Sequence, residues 1–135
     1  MKKVNSTCII DDDPIFIYGT KRIMKESNFA NEILVYNNGQ DAIDGLLEIS
    51  NQDKELPDII FLDLNMPLMT GWEFLEAFVK IPMQKREKVV IYIVSSSVDP
   101  RDLQKVQDYN IIHKYILKPV SPQDLESVLA NIALA

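Results

Sequence analysis

The sequence is poor in cysteine, basic residues and long hydrophobic runs, and each scarcity excludes a class of protein. Cys8 is the only cysteine among 135 residues, so neither an internal disulfide nor a cysteine-based zinc site can form. A chain without disulfides is typical of a reducing compartment, and a cytoplasmic location is therefore expected.

Positive charge is also scarce. Lysine and arginine number 14 against 20 acidic residues, which gives a formal net charge of -6. Nucleic-acid binding requires a basic surface that neutralises phosphates, so no nucleic-acid partner is predicted. The apolar run in "MKKVNSTCII" is too short for a signal peptide or a membrane span, so no membrane association is predicted.

The sequence does contain enough apolar material for one core. Hydrophobic residues make up 47% of the chain and charged residues 25%, which is ordinary for a globular domain. The length suits one compact domain, and the prediction is a single domain over residues 1–135.

Five short apolar segments alternate with five longer amphipathic ones. The short segments are rich in Ile, Val, Tyr and Phe and predict buried strands at Ser6–Ile10, Glu32–Tyr36, Asp58–Leu62, Val89–Val94 and Lys114–Leu117. The longer segments space their apolar residues as helices do. Strands alternating with helices predict an α/β fold with a doubly wound, five-stranded parallel sheet. The segment "KIPMQKREK" is predicted to be a solvated loop.

Chemically active side chains follow four of the predicted strands. Asp11 and Asp12 follow the first strand, Asp63 the third, Ser95 the fourth and Lys118 the fifth. Each signal is weak alone, because acidic residues often cap helices and serine is common in turns. The carboxyl ends of parallel strands share one edge of a sheet, however, so these side chains are expected to meet. Clustered carboxylates repel one another unless a lysine or a metal ion intervenes.

Such a cluster suits Mg²⁺, which prefers oxygen ligands. The candidate ligands are the carboxylates of Asp11, Asp12 and Asp63 and a carbonyl oxygen at Asn65. With a phosphoryl donor present, Asp63 could act as a nucleophile and form an aspartyl phosphate. Lys118 would then pair with a phosphoryl oxygen.

Four segments together resemble the receiver domain of two-component response regulators, including stand-alone chemotaxis-type receivers. They are "IIDDDP", "IIFLDLNMPLMTGWEFL", "IYIVSSS" and "KYILKP", in the order and spacing of that family. The resemblance covers essentially the whole chain. It implies a flavodoxin-like fold with strand order 2-1-3-4-5 and five helices.

The resemblance also implies a role for each matching residue at the site. Asp63 would be the phosphoacceptor, and Asp11 and Asp12 would be the acidic pair that binds Mg²⁺. Asn65 would offer its main-chain carbonyl to the metal, and Lys118 would be the family's lysine. Gly71 matches the glycine of the loop after the acceptor, where a backbone turn is needed.

The resemblance further implies how such a protein signals. A sensor histidine kinase or a histidine phosphotransfer protein would donate the phosphoryl group. Ser95 would move toward the modified Asp63, and Tyr115 would rotate into the space that Ser95 leaves. The altered surface would bind a protein target that the sequence does not identify. The resemblance is also compatible with a homodimer that forms through the last helices. Beyond slow loss of its own phosphoryl group, no enzymatic activity is expected.

Three other functions remain open at the level of sequence. A haloacid-dehalogenase-like phosphatase also uses an aspartate nucleophile and Mg²⁺, but it needs a second Asp where this chain has Asn65. A flavodoxin-like flavin or nucleotide binder needs a phosphate-cradling loop after the first strand, and "DDDP" would repel phosphate. A structural interaction module without phosphorylation is the third.

Trp72, at the start of a predicted helix, is expected to pack against the preceding loop.

Overall fold

The computed structural model describes residues 3–97 and 99–133. The strands are β1 (Val4–Ile10), β2 (Ala30–Tyr36), β3 (Ile59–Asp63), β4 (Val90–Ser95) and β5 (Ile112–Leu117). The helices are α1 (Pro14–Glu26), α2 (Gly39–Asn51), α3 (Gly71–Phe78), α4 (Met83–Arg86), α5 (Pro100–Val106) and α6 (Pro122–Ala133). Among the described residues, no helix has both the length and the apolar character needed to cross a membrane.

The five strands form one parallel sheet in the order β2-β1-β3-β4-β5, which confirms the predicted fold. The register brings the carboxyl ends of the central strands to nearly the same level. β4 and β5 end together at the Ser95–Leu117 pair, and β1 ends opposite Leu62, one residue before β3 ends at Asp63. The residues that follow these strands therefore start from one edge of the sheet.

All five residues of β3 are buried, because helices cover the sheet on both faces. Ile60 and Leu62 belong to an apolar layer with α2 and α3, whereas Ile59 and Phe61 belong to the opposite layer with α1 and α6. Alternate side chains of one strand thus fill two cores. This explains why β3 is a continuous apolar run rather than an alternating one.

The described residues form six helices where five were predicted, and the addition is α4. This single helical turn lies in the segment that was predicted to be a solvated loop. Lys85 Nζ donates to the carbonyl of Ser50 in the last turn of α2 at 2.8 Å, and Arg86 Nε donates to the carbonyl of Ile81 at 2.8 Å. Because the Ser50 contact joins two distant segments of the chain, the polar sequence of α4 gives little indication of this helix.

Strand β5 begins two residues earlier than predicted, at Ile112, and includes a bulge. Ile91 pairs with Ile112, but the next residue of β4, Tyr92, pairs with Lys114. The extra residue is His113, whose ring lies 5.4 Å from that of Tyr92. A bulge in an edge strand disrupts the regular ladder that another strand could extend.

Candidate functional site

Three carboxylates meet at the carboxyl edge of the sheet. Asp11 and Asp12 follow β1, and Asp63 is the last residue of β3. Each offers an oxygen atom, and these atoms lie within 4.8 Å of one another. Asp11 is completely buried and Asp63 is 6% exposed, whereas Asp12 faces solvent. Asp13 stands apart as the N-cap of α1, where its side chain accepts a hydrogen bond from the Ile15 N–H at 3.0 Å.

Lys118 brings the compensating positive charge. Its Nζ lies 2.7 Å from Asp11 Oδ2 and 3.8 Å from Asp63 Oδ1, and its side chain is 15% exposed. The Lys118 N–H donates to the carbonyl of Ser95 at 2.8 Å, which ties the residue after β5 to the end of β4. The structure therefore brings together the carboxylates and the ammonium that the sequence pattern placed at one edge.

The electrostatics of Asp63 reflect this crowding. Burial, followed by the charge of Asp11, raises the pKa of Asp63 to about 6. Lys118 and the backbone N–H of Asn65 act in the opposite direction, and Asp12 adds a small upward contribution. The carboxylate is thus mostly ionised at neutral pH, although its ionisation is less favourable than that of an exposed aspartate.

The cluster is consistent with a divalent metal site. Asp11 Oδ2 is buried, and although it touches the ammonium of Lys118, it receives no well-oriented hydrogen bond from the described residues. A buried carboxylate oxygen in that state can still take another electropositive partner. Three carboxylates that converge on one point supply the hard oxygen ligands that Mg²⁺ prefers.

The loop between β3 and α3 is packed tightly against the end of β3. The Gly71 N–H donates to the carbonyl of Leu64 at 2.9 Å, and a Cβ at Gly71 would lie 2.6 Å from the carbonyl oxygen of Asp63. Gly71 is therefore required by close approach, rather than by the turn that was expected, since its φ is not positive. The residue of this loop with a left-handed φ, of 70°, is Leu68.

Ser95 and Tyr115 both bond to the same residue, Ser97. Ser95 is 3% exposed, and its Oγ accepts a hydrogen bond from the Ser97 N–H at 3.3 Å. The hydroxyl of Tyr115 donates to the carbonyl of Ser97 at 2.6 Å. Sequence reasoning missed this link, because it runs through backbone groups that no residue type identifies.

Phe16 is a second residue that the sequence analysis missed. Its ring lies under the Lys118 ammonium, with 4.4 Å from Nζ to the ring centroid. The helical spacing of apolar residues indicates Ile17, Ile23 and Met24 as the buried side of α1, but Ile17 and Ile23 are only partly buried while Phe16 is buried. The helical spacing gave the correct general face, not the residue nearest the site.

The fold and the site together define a doubly wound α/β domain with an acidic pocket and a lysine at its carboxyl edge. A family model described as "Response regulator receiver domain" matches residues 7–130. The chain therefore belongs to the response regulator receiver family. Members are signalling phosphoacceptors of two-component systems rather than true enzymes, and this context implies a histidine kinase as partner.

Curated relatives agree with this assignment. The chain is 30% identical over 127 residues to the nitrate/nitrite response regulator protein NarL of Escherichia coli, covering 93% of this chain and 53% of NarL. It is 26% identical over 124 residues to the probable methanogenesis regulatory protein FilR2 of Methanothrix harundinacea, covering 92% of this chain and 78% of FilR2. An uncharacterized response regulatory protein of Vibrio vulnificus is 29% identical, but the chain covers only 47% of it. The chain thus spans about half the length of several relatives.

Solved structures match over nearly the full chain. A two-component response regulator from Cytophaga hutchinsonii superposes with a TM-score of 0.90 at 29% identity, covering 99% of this chain and 100% of that one. A receiver protein from Dyadobacter fermentans gives 0.82 at 25% identity, with coverages of 96% and 98%. The chemotaxis protein CheY4 of Vibrio cholerae, at 19% identity and a TM-score of 0.75, shares the fold.

Proposed function

We propose that this receiver accepts a phosphoryl group on Asp63 from a histidine kinase or a histidine phosphotransfer protein, in a Mg²⁺-dependent reaction. The modified domain then signals to a protein partner through a conformational change. One observation carries the proposal: the ammonium of Lys118 contacts buried Asp11 and lies 3.8 Å from Asp63, beside an acidic cluster.

In the proposed transfer, a carboxylate oxygen of Asp63 attacks the phosphorus of a phosphohistidine. A P–O bond forms to Asp63, the P–N bond breaks, and the imidazole leaves with the electrons of that bond. The ammonium of Lys118 already lies close to Asp63, between it and Asp11. It can therefore pair with an oxygen of a phosphoryl group that is bound to Asp63. Bound Mg²⁺ would neutralise charge on the phosphoryl group and the nucleophile; Asp11, Asp12, Asp63 and the Asn65 carbonyl are the proposed ligands.

The proposed switch uses Ser95 and Tyr115. The Ser95 Oγ accepts a hydrogen bond from Ser97, so its own proton remains available to a phosphoryl oxygen. Movement of Ser95 would disturb Ser97, whose carbonyl is the acceptor of the Tyr115 hydroxyl. The phosphoryl group would thereby shift the populations of the loop after β4 and of Tyr115, because it contacts one arrangement better than the other. A cytoplasmic location and a homodimer stay predictions.

Incubation with acetyl phosphate and Mg²⁺, followed by intact mass measurement and peptide mapping, tests the proposal. We expect one added phosphoryl group on Asp63, absent with EDTA or in Asp63→Asn. Asp44→Asn, which makes the same change on the exposed side of α2, is the matched control and should be modified as wild type is. Modification elsewhere, or repeated turnover of small phosphate esters, would contradict the proposal.

A further inference from the structure

Lys118 has a third neighbour besides the two carboxylates. The face of the Phe16 ring lies 4.4 Å from Nζ, within the range of about 6 Å over which an ammonium is attracted to an aromatic face. Phe16 is 8% exposed and sits in the first turns of α1. Water is thus largely excluded from the contact, and the attraction between a cation and a ring is strongest in such a desolvated environment.

The two carboxylates lie at unequal distances from the ammonium. Asp11 Oδ2 is 2.7 Å away and completely buried, whereas Asp63 Oδ1 is 3.8 Å away. Attraction between charges increases at short distance, so Asp11 draws the ammonium away from Asp63. Lysine also has a long flexible stem and a charge without preferred direction. A third contact on another side therefore limits where the ammonium can go.

Local structure places the Phe16 ring under the ammonium. Asp13 caps α1, and Pro14 occupies its first turn, so the helix start is fixed close to the acidic cluster. Phe16 is then directed into the apolar layer that also holds Ile116 and Val120, on either side of Lys118 in sequence. Leucine or isoleucine would fill similar space, but only an aromatic ring presents a negative face to the ammonium.

We propose that Phe16 is a positioning residue that acts through Lys118: its ring face holds the ammonium within reach of both Asp63 and an incoming phosphoryl group. The effect of Phe16 on phosphoryl transfer depends on the proposed function. The effect of Phe16 on the position of the ammonium does not depend on it. The ring makes no contact with the phosphoryl group in this scheme. Its contribution is electrostatic, in addition to the apolar packing that any large side chain would supply.

Fluorinated phenylalanines, introduced at position 16 alone, separate electrostatics from packing. Fluorine withdraws electron density from the ring face and hardly changes its shape, so the attraction for the ammonium weakens stepwise from Phe to trifluoro-Phe to pentafluoro-Phe. We expect the rate of modification by acetyl phosphate and Mg²⁺ to fall in that order, by about fivefold in total, which corresponds to about 1 kcal/mol. Equal rates across the series would show that the ring only fills space and would overturn the proposal.

A matched control addresses loss of packing. Phe29→Leu removes a ring from the same apolar layer, but Phe29 adjoins the start of β1, at the opposite end of the sheet from Lys118. We expect folded Phe29→Leu to be modified at the wild-type rate and Phe16→Leu to be modified several-fold more slowly. Equal slowing in both variants would assign the effect to general destabilisation and would contradict the proposal.

Proton NMR of the unmodified protein tests the contact without any phosphoryl transfer. Protons over a ring face are shifted upfield, so the ε-methylene protons of Lys118 should resonate upfield of those of the exposed lysines. The shift should disappear in Phe16→Leu and persist in Phe29→Leu. A wild-type protein without the shift would overturn the placement of the ammonium. A wild-type protein that shows the shift but is never modified on Asp63 would overturn the proposed function alone.

Discussion

The two halves of the sheet differ in how firmly they hold their side chains. On one side, every residue of β3 is buried, and Asp63 ends a strand that fills both apolar layers. On the other side, none of the seven residues of α5 is buried, and β5 exposes His113, Lys114 and Leu117. Asp63 thus ends a fully buried strand, whereas helix α5 has no buried residue.

This difference would suit the proposed function, in which a reactive carboxylate stays in place while the surface changes. Local opening is easiest where few apolar side chains are buried. Under the proposed function, modification of Asp63 would therefore alter α5 and its loops more readily than β3, where a change would disrupt the core. Ser97 lies between the two regions, because it bonds to buried Ser95 and to the hydroxyl of Tyr115 on β5.

The largest expected effect comes from removing the ammonium that lies beside the buried carboxylates. Lys118→Met keeps an unbranched side chain but takes away the charge that faces Asp11 and Asp63. We expect modification by acetyl phosphate to slow by roughly a hundredfold, as for the loss of one transition-state contact. Lys114→Met, at an exposed position of β5, is the matched control. A rate within twofold of wild type, in a variant that circular dichroism shows to be folded, would contradict the role of Lys118.

The pH dependence of stability tests the crowding at Asp63. Its pKa of about 6 in the folded protein lies above the ordinary value of 3.8. Between these pH values the folded protein binds a proton that the unfolded chain has lost, so the free energy of unfolding falls as the pH rises through this window. In Asp63→Asn, the side chain at position 63 cannot ionise, so the free energy of unfolding does not fall for this reason. Relative to wild type, its stability should therefore increase by about 2 to 3 kcal/mol between pH 4 and pH 7.

Urea denaturation with EDTA present measures this difference. Asp44→Asn provides the control, because it removes an exposed carboxylate from α2 and should follow the wild-type curve. Added Mg²⁺ should reduce the advantage of Asp63→Asn at neutral pH, since a bound cation offsets the repulsion in wild type. Parallel curves for Asp63→Asn and wild type would show that the acidic cluster is not under electrostatic strain.

A pair of glycine substitutions compares close packing at the site with open space elsewhere. Gly71→Ala would place a Cβ 2.6 Å from the carbonyl oxygen of Asp63, so the loop after β3 must shift. We expect it to destabilise the protein by about 2 kcal/mol. In Gly19→Ala, the new Cβ meets nothing within 4 Å, and the added helix propensity of α1 should stabilise the protein by about 1 kcal/mol. Equal effects of both substitutions in urea denaturation would refute the close approach.

The features that could be predicted from sequence depend on local signals or on topology. The caps at Asp13 and Asp99 lie directly before Pro14 and Pro100, a pattern that marks a helix start in sequence, and both side chains accept a backbone hydrogen bond. The meeting of Asp11 with Asp63 and Lys118 required only that parallel strands end at one edge of a sheet. Predicting this meeting did not require knowing which individual side chains contact each other.

The features that could not be predicted depend on contacts between distant residues. Helix α4 is held by a lysine that reaches α2, and Phe16 meets Lys118 from more than 100 residues away in sequence. Trp72 was expected to pack on the loop before it; the structure adds a stacking contact with Tyr109, with 5.8 Å between the ring centroids. Helical periodicity identifies a buried face, but it does not say which residue of another element lies opposite.

Trp72 also allows a test of the difference between buried strand β3 and exposed helix α5. It follows Gly71, which packs on Asp63, and its Nε1 donates to Asp102 Oδ1 of α5 at 3.2 Å. The ammonium of Lys105 lies 4.9 Å from its ring. Because α5 buries no residue of its own, these contacts with Trp72 contribute to holding the helix in place, beside the packing of half-buried Val106 on the core.

We expect Trp72→Phe to speed amide hydrogen exchange in α5 by about fivefold, since losing one hydrogen bond is worth about 1 kcal/mol. The amides of β3 should exchange as in wild type, because they open only when the whole domain unfolds. Asp102→Ala should reproduce the effect by removing the acceptor, whereas Asp102→Asn keeps an oxygen there and should change little. If exchange rose equally in α5 and β3, α5 would open only with the core, and the contrast between a rigid site and a loosely held helix would be wrong.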